Sequence, residues 1–348
     1  MKVSILRNED PSSSKKWEIS CQKANLDYTV IDLTASDWYE SIINSNSELF
    51  LLRPPGETFK FKQVYDERVF IISEVLKFFV FPTVKEILIY ENKRMLSAFL
   101  KGANIPLPQT WIFYNKNEAL KFAQETSLPV VGKTRIGASG SGVEIIKTHK
   151  GLDTYIRRGF GKGIKRRLGP NRSTGNVRTW SKKAVANPAY FIKKIRQYLE
   201  IYKDSQKGFI ILQEYVPHEF EWRIVKIGES WFGHQKIKMG EKASGTKGIN
   251  YITPPIKLLD FCRNICEEHN FTTMALDIFE HPKKGYVVNE LQTIFGHVQE
   301  YLMECDGKIG RYIFENDQWH FEPGDFNTNE SYDLRLESAI ALYERRKK

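Results

Sequence analysis

The chain has 348 residues, 41% of them hydrophobic and 27% charged, with a formal net charge of +10. That length holds two or three domains of roughly 100–200 residues and a core that needs no disulfide staple. No run approaches the roughly 18 apolar residues of a membrane span, and MKVSILRNED lacks the apolar core of a secretory leader, so a cytoplasmic protein is expected.

Within residues 1–90, KVSIL, YTVIDL and ELFLLRPP read as strands. SSKKWEISCQKAN and VYDERVFIISEVLKFF read as helices, the second by the spacing of its apolar residues. The alternation predicts an α/β layer with parallel strands. No Gly-x-Gly-x-x-Gly follows the first strand, so a dinucleotide site is not supported. Arg53 closes the third strand in RPPG. Ligands of open parallel sheets sit at the carboxyl ends of strands, so Arg53 is either a binder of a substrate carboxylate or part of a structural turn. Residues 91–104, ENKRMLSAFLKGAN, predict a helix with Met95, Leu96, Phe99 and Leu100 on its apolar face and Gly102 at its end.

Residues 128–148 read as strand, glycine-rich turn, strand: LPVVGKT, RIGASGSG, VEIIKT. Residues 151–207 are basic, with Arg157, Arg158, Lys162, Lys165, Arg166, Arg167, Arg172, Arg178, Lys182 and Lys183 among glycines. This stretch is either a solvated basic loop or a clamp for an acidic glycan, lipid or peptide. Its aromatic residues Tyr155, Phe160 and Trp180 are too scattered for a nucleic-acid stacking platform. FIILQEYV, EWRIVKIG and SWFGHQKI are strand-like, and residues 257–269 are helical. Cys262 and Cys266 share a face of that helix. With Cys21 and Cys305 they are expected to be reduced thiols in or near the core, because no second close Cys/His pair completes a zinc site. The tail YDLRLESAIALYERRKK is an amphipathic helix with a basic end, either docked on the body or extending from it.

Two segments carry the chemistry. ALDIF (275–279) and YVVNELQ (286–292) form a hairpin whose turn centres near Lys283 and Lys284. In that register Phe279 faces Val288 and Asp277 faces Glu290, while Leu276, Ile278, Val287 and Leu291 point to an apolar face with Asn289. Gln292 returns to the carboxylate face. Directly opposed carboxylates repel, and a divalent cation with oxygen ligands relieves that, an amide oxygen completing the set. A solvated acidic hairpin, or a pair neutralised by lysine, fits the same residues. Upstream, Gly137, Gly140 and Gly142 in RIGASGSGV offer backbone amides to phosphate oxygens. Lys133 precedes them as a point charge. The spacing is not that of a Walker A loop, and a plain mobile hairpin tip is the alternative.

In this order the pieces resemble the ATP-grasp superfamily, which includes D-alanine–D-alanine ligase, glutathione synthetase and the glutamate ligases of ribosomal proteins. The likeness runs from about Glu91 to Gly296, on ENKRMLSAFLKGANIPLPQT, LPVVGKTRIGASGSGV, ILQEYVPHEFEWRIVKIG and ALDIFEHPKKGYVVNELQ. It implies an ATP-grasp fold of the α/β (α+β) class behind a Rossmann-like pre-ATP-grasp domain. The domains would be 1–90, then 91–325 with a lid subdomain at 108–215 (basic insert 151–207) and a metal-binding subdomain at 216–325, then a C-terminal helix at 326–348.

The resemblance implies that Lys93 and Lys133 contact ATP phosphates, with Gly140, Ser141 and Gly142 as a lid. Gln213, Glu214 and Val216 would hold the adenine edge, and Glu221 the ribose. Arg223 and Lys236 would act near the phosphates or acyl phosphate. Asp277, Glu290 and Gln292 would bind Mg²⁺, two ions in all, with Mn²⁺ as a substitute. Two departures stand out: the family's Glu-x-Asn is here Glu290-x-Gln292, and Lys133 precedes Thr134 in place of proline. Arg223 has a structural alternative, a pair with Glu219 or Glu221. His234 and His297 flank the site and read more readily as structural. ASGTKG at 243–248 is a second lid candidate.

The implied activity is that of a carboxylate–amine ligase acting through an acyl phosphate, with a small-molecule, anionic glycan or peptide substrate. An ATP-grasp phosphotransferase and a non-enzymatic binder of an anionic polymer are the rivals. Asp277→Asn and Glu290→Gln are then expected to abolish Mg·ATP turnover with the fold intact.

Overall fold

The computed structural model describes residues 1–137, 140–166, 198–239, 242–243, 248–295 and 299–348. Several expectations lie outside them: the middle of the glycine loop, the basic residues Arg167, Arg172, Arg178, Lys182 and Lys183, residues 244–247 of the second lid candidate, and His297.

Strands β1 (Lys2–Arg7), β2 (Asp27–Asp32), β3 (Leu49–Leu52) and β4 (Phe79–Phe81) form a parallel sheet in the order β2-β1-β3-β4. Helices α1 (Lys15–Lys23), α2 (Trp38–Asn44) and α3 (Phe59–Phe70) make the crossovers. All four residues of β3 are buried, as a parallel strand covered on both faces requires. Leu6, Phe50 and Leu52 pack with Tyr65 and Val69 on one face. Ile5, Leu49 and Leu51 pack on the other with Trp17, Tyr332 and Leu336. The tail helix, Tyr332–Lys347, therefore docks: Ser20 Oγ donates to Asp333 Oδ1 at 2.5 Å and Lys23 pairs with Asp333 at 2.7 Å. Helix α4 (Val84–Ile89) opens with a capping box in which Thr83 Oγ1 and the Glu86 side chain serve each other's backbone. The buried Glu86 carboxylate also accepts from Thr272 N at 2.6 Å and Thr273 N at 2.8 Å, tying this layer to the large sheet.

Helix α5 (Lys93–Gly102) occupies the predicted segment. A second sheet, antiparallel, contains β5 (Thr110–Phe113), β6 (Val130–Lys133), β7 (Val143–Ile146) and β8 (Ile210–Glu214) in the order β5-β8-β6-β7. Helices α6 (Lys116–Glu125) and α7 (His149–Phe160) cover it. Here the structure corrects the reading of 151–207 as one basic stretch. Its start is α7, which buries Leu152, Tyr155 and Ile156 and carries Arg157 and Arg158 at its basic end. Glycines and arginines masked a period that only the apolar positions keep. Further on, Arg166 is also buried, beside Asp204 at 3.8 Å.

The third sheet holds β9 (Phe220–Ile227), β10 (Ser230–Met239), β11 (Lys242–Ala243), β12 (Ile249–Asn250), β13 (Thr273–His281), β14 (Gly285–Gln292), β15 (Glu304–Cys305), β16 (Lys308–Glu315) and β17 (Gln318–Pro323). Its main path is β14-β13-β9-β10-β16-β15. Helix α8 (Ile256–Glu268) and α5 bury Leu259, Cys262, Leu96 and Leu100 against Ile224, Leu276, Ile278, Val288 and Leu291. Cys21, Cys262 and Cys266 are buried free thiols and Cys305 is partly exposed. Among the described residues no helix is long and apolar enough to cross a membrane.

Candidate active site

The β13–β14 hairpin sets the geometry. Asp277 pairs with Glu290 and Ala275 with Gln292, so Gln292 lies two residues beyond Glu290 on the same face. Past Asp277 the register shifts, because a bulge leaves Asn289 unopposed: Ile278 pairs with Val288 and Phe279 with Val287. The pairing of Phe279 with Val288 expected from a regular ladder is therefore wrong, and so are two side-chain directions. Val288, not Val287, enters the core with Leu276, Ile278 and Leu291. Val287 joins Phe279 and Val216 in a separate apolar cluster beside the hinge after β8. Asn289, expected on the core face, accepts from Lys133 Nζ at 2.9 Å. One face of the hairpin thus carries an apolar pair, Phe279 and Val287, next to an acidic pair, Asp277 and Glu290.

The acidic pair is surrounded by cations. Arg223 on β9 donates to both oxygens of Asp277, from Nε at 2.8 Å and Nη2 at 2.9 Å, and Lys236 on β10 reaches Oδ2 at 2.7 Å. Lys236 also pairs with Glu221 at 2.7 Å across β9–β10. Arg223 therefore bonds to Asp277 rather than to Glu219 or Glu221. Asp277 is only 2% exposed. Burial alone pushes its carboxyl up, but Arg223 and Lys236 outweigh it and hold the group far below the ordinary range. Glu290 is pushed up by burial and held below the usual value by Lys93, with help from Lys133 and Lys236.

Lys93 opens α5. Its N–H donates to Arg135 O at 2.9 Å, and its Nζ sits 3.2 Å from both Gly137 O and Glu290 Oε1. Gly137 N donates in turn to Glu91 Oε2 at 2.9 Å. The buried Glu91, in the left-handed region at φ 46°, thus anchors the glycine loop to the start of α5. Sequence reasoning missed Glu91, Asn289 and the Phe279–Val287 pair. Glu91 sits between Tyr90 and the helix cap Asn92, with Lys93 two residues on, and nothing in that spacing marks it. Gly142 closes the β6–β7 turn, where Thr134 N donates to its carbonyl at 2.9 Å. A Cβ there would fall 1.8 Å from Thr134 Oγ1, so only glycine fits. Gly140, at φ 68°, and Ser141 lie in the same turn.

At the hinge, the Gln213 side chain donates to Thr110 Oγ1 at 3.1 Å, and Glu214 N donates to Gln109 O at 2.8 Å. The Glu214 carboxylate meets His281 Nε2 at 2.8 Å and Lys284 at 3.2 Å, which fastens the hairpin tip to the hinge. His218 bonds Val216 O at 2.8 Å and lies over Phe279, ring centroids 4.5 Å apart. His234 is buried, with Nδ1 3.0 Å from Leu302 O.

The residues suit a hard divalent cation of a particular kind. Among the described residues no three or more His, Cys, Asp or Glu side chains gather as a protein-only cage. Of the four lone-pair positions of Asp277, three are taken, two on Oδ2 and one on Oδ1, leaving one. Among the described residues Glu290 has a single cationic contact, at 3.2 Å. Two carboxylates with bordering amides match an ion that draws its remaining ligands from water and substrate phosphates.

Lys133 gives a pH signature. Burial brings its ammonium down to about 8, with Glu290 opposing. Above that value the free site loses one cation, so affinity for a nucleotide triphosphate is expected to fall from pH 7 to pH 9. Isothermal titration with an ATP analogue checks this. Lys133→Arg, which stays charged, should flatten the profile, and an unchanged profile in that variant overturns the assignment.

Comparison with solved structures places the architecture. D-alanine–D-alanine ligase from Bacillus anthracis aligns at a TM-score of 0.52 and 12% identity, over 99% of this chain and 99% of that one. N5-carboxyaminoimidazole synthetase from Staphylococcus aureus in complex with ADP gives 0.56 at 11% identity, over 97% and 76%. N5-carboxyaminoimidazole ribonucleotide synthetase from Thermotoga maritima gives 0.54 at 13%, over 97% and 75%. No family model matches the sequence, and no curated protein is significantly similar to it. With a parallel sheet ahead of two antiparallel sheets that bring Lys93, Lys133, Asp277 and Glu290 together, the chain has the ATP-grasp fold.

Proposed function

We propose that the protein is an ATP-dependent ligase that activates a substrate carboxylate as an acyl phosphate and joins it to an amine. The observation that carries this reading is the divided face of the hairpin. Phe279, Val287 and Val216 form an apolar cluster against which adenine would lie, and Asp277 and Glu290, ringed by Lys93, Lys133, Arg223 and Lys236, would take the phosphates. A nucleotide has the same division.

Glu290, Asp277 and the amide of Gln292 or Asn289 would hold Mg²⁺, which supplies charge neutralisation at the phosphates. Lys93 and Lys133 position the phosphate chain as point charges on two different layers. Arg223 and Lys236 keep Asp277 ionised and oriented. Glu221, bonded to Lys236, is left for the ribose hydroxyls. Gly140, Ser141 and Gly142 cover the site, and exclusion of water protects an acyl phosphate from hydrolysis. Catalysis of this type is positioning and electrostatics, and it asks for no nucleophilic side chain.

Incubation with Mg²⁺, ATP and candidate acids, with and without an amine, tests the reading. The ligase yields ADP, free phosphate and a joined product that requires the amine. A stable phosphorylated acid with no free phosphate would establish the phosphotransferase instead.

A further inference from the structure

Two arginines outside the nucleotide site make no salt bridge among the described residues, and each keeps a buried nitrogen with no hydrogen-bond partner there. Arg53 closes β3 at the carboxyl edge of the parallel sheet, where its N–H donates to Leu6 O at 3.3 Å and its carbonyl accepts from Asn8 Nδ2 at 3.0 Å. The order β2-β1-β3-β4 reverses direction between β1 and β3, and open parallel sheets take ligands in the crevice at such a point. The Arg53 guanidinium makes no salt bridge among the described residues, and its Nη1 is buried without a hydrogen-bond partner. The carboxylate acting on it from a distance, Glu330, is itself paired with Lys16 at 3.2 Å.

Arg335, near the start of the tail helix, is wholly buried. Its Nη1 donates to Thr273 Oγ1 and Thr293 O, both at 2.9 Å, while Nε and Nη2 have no partner among the described residues. Its guanidinium lies 4.4 Å from the ring centre of Phe295 and 5.9 Å from that of Tyr332. Burial brings it down to about 10, with Tyr332 and the buried Glu86 opposing and Arg53 adding to the fall.

Buried cations are ordinarily paired. The orphaned donor of Arg53 at this strand edge complements an oxyanion, and the guanidinium fork matches carboxylate and phosphate alike. The turn that carries Arg53 also borders the nucleotide site. A Cβ on Gly56 would come 3.1 Å from Tyr90 Oη and 3.4 Å from Glu91 Cγ, and Glu91 holds the glycine loop.

We propose that Arg53 binds a carboxylate or phosphate group of the non-nucleotide substrate. That this ligand is a substrate rests on the ligase reading; the anion site itself does not. The test titrates inorganic phosphate and malonate calorimetrically into protein saturated with Mg²⁺ and a non-hydrolysable ATP analogue. One of the two anions is expected to bind, phosphate indicating a phosphorylated substrate and malonate a carboxylate one. Arg53→Gln should weaken that binding at least about tenfold. Arg53→Lys, which keeps the charge and loses the fork, should give a smaller loss. Binding of neither anion, or binding unchanged in Arg53→Gln, overturns the proposal. If the analogue itself does not bind, the ATP reading falls, and the same titrations on the unliganded protein still decide the anion site.

Discussion

Glu290→Gln is expected to slow Mg·ATP-dependent turnover by about a hundred- to a thousandfold, the usual cost of losing one preorganised electrostatic contact in an active site, while the protein stays folded. The side chain is 23% exposed, so glutamine can be solvated there. Its one cationic partner, Lys93, keeps Gly137 O at 3.2 Å. What disappears is the negative charge best placed to hold a divalent ion. Affinity for nucleotide without Mg²⁺ should therefore persist or rise, since Lys93 and Lys133 then face the phosphates with less competition. ADP release at saturating ATP, nucleotide affinity with and without Mg²⁺, and the thermal midpoint decide it. Turnover within about threefold of the unaltered protein would sink the metal role of Glu290.

Asp277→Asn should behave differently, and here the structure changes the expectation of an intact fold. Asparagine keeps an oxygen for Arg223 but turns an N–H₂ donor toward Arg223 or Lys236, both of which are donors only. Two buried cations are then left with Glu290, across the hairpin, and Glu221, 2.7 Å from Lys236, as the neighbouring carboxylates. Breaking a buried ion pair from one side typically costs about 3–5 kcal/mol, or a fall of roughly 10 °C in thermal midpoint for a domain of this size.

The pH dependence has a definite sign. Burial works against the charged form of Asp277, yet Arg223 and Lys236 depress its folded-state pKa below that of the unfolded chain. The stability it contributes is thus fully present above the unfolded value, about pH 4, and is lost as pH falls below it. The gap between the two proteins should be complete at pH 7 and narrow below about pH 4. Thermal melts across pH 3–7 measure it, and a gap that is small at pH 7 or independent of pH would show that Asp277 is not the keystone of this network.

Much of the architecture can be read along the chain because it is local. The apolar spacing of ENKRMLSAFLKGAN makes α5, and its register follows from Leu96 and Leu100 reaching the core. The turn residues EHPKKG between two apolar runs make the β13–β14 hairpin; its turn pairs His281 with Gly285, so a regular ladder would set Asp277 against Asn289, and the bulge brings Glu290 there instead. Glycine spacing after Lys133 makes the β6–β7 turn. Each of these depends on hydrogen bonds and side-chain faces within about twenty residues.

The hairpin face was decided by tertiary structure at one position. Val287 and Val288 are both valine, so the hydrophobic pattern is the same whether the ladder is regular or bulged. Only packing settles it: Val288 fills the core, Val287 meets Phe279 and Val216, and Asn289 turns to Lys133. The same holds for partners that lie far apart in the chain. Arg223 and Asp277 are 54 residues apart, Lys133 and Asn289 are 156 apart, and Arg335 reaches Thr273 across 62. Local periodicity marks which face of an element is buried, but it cannot say which distant charge will stand across from it. The sequence by itself thus determined the elements and placed Asp277 and Glu290 on facing strands of one hairpin. The folded chain decided which cation each carboxylate holds and which arginines are left without one.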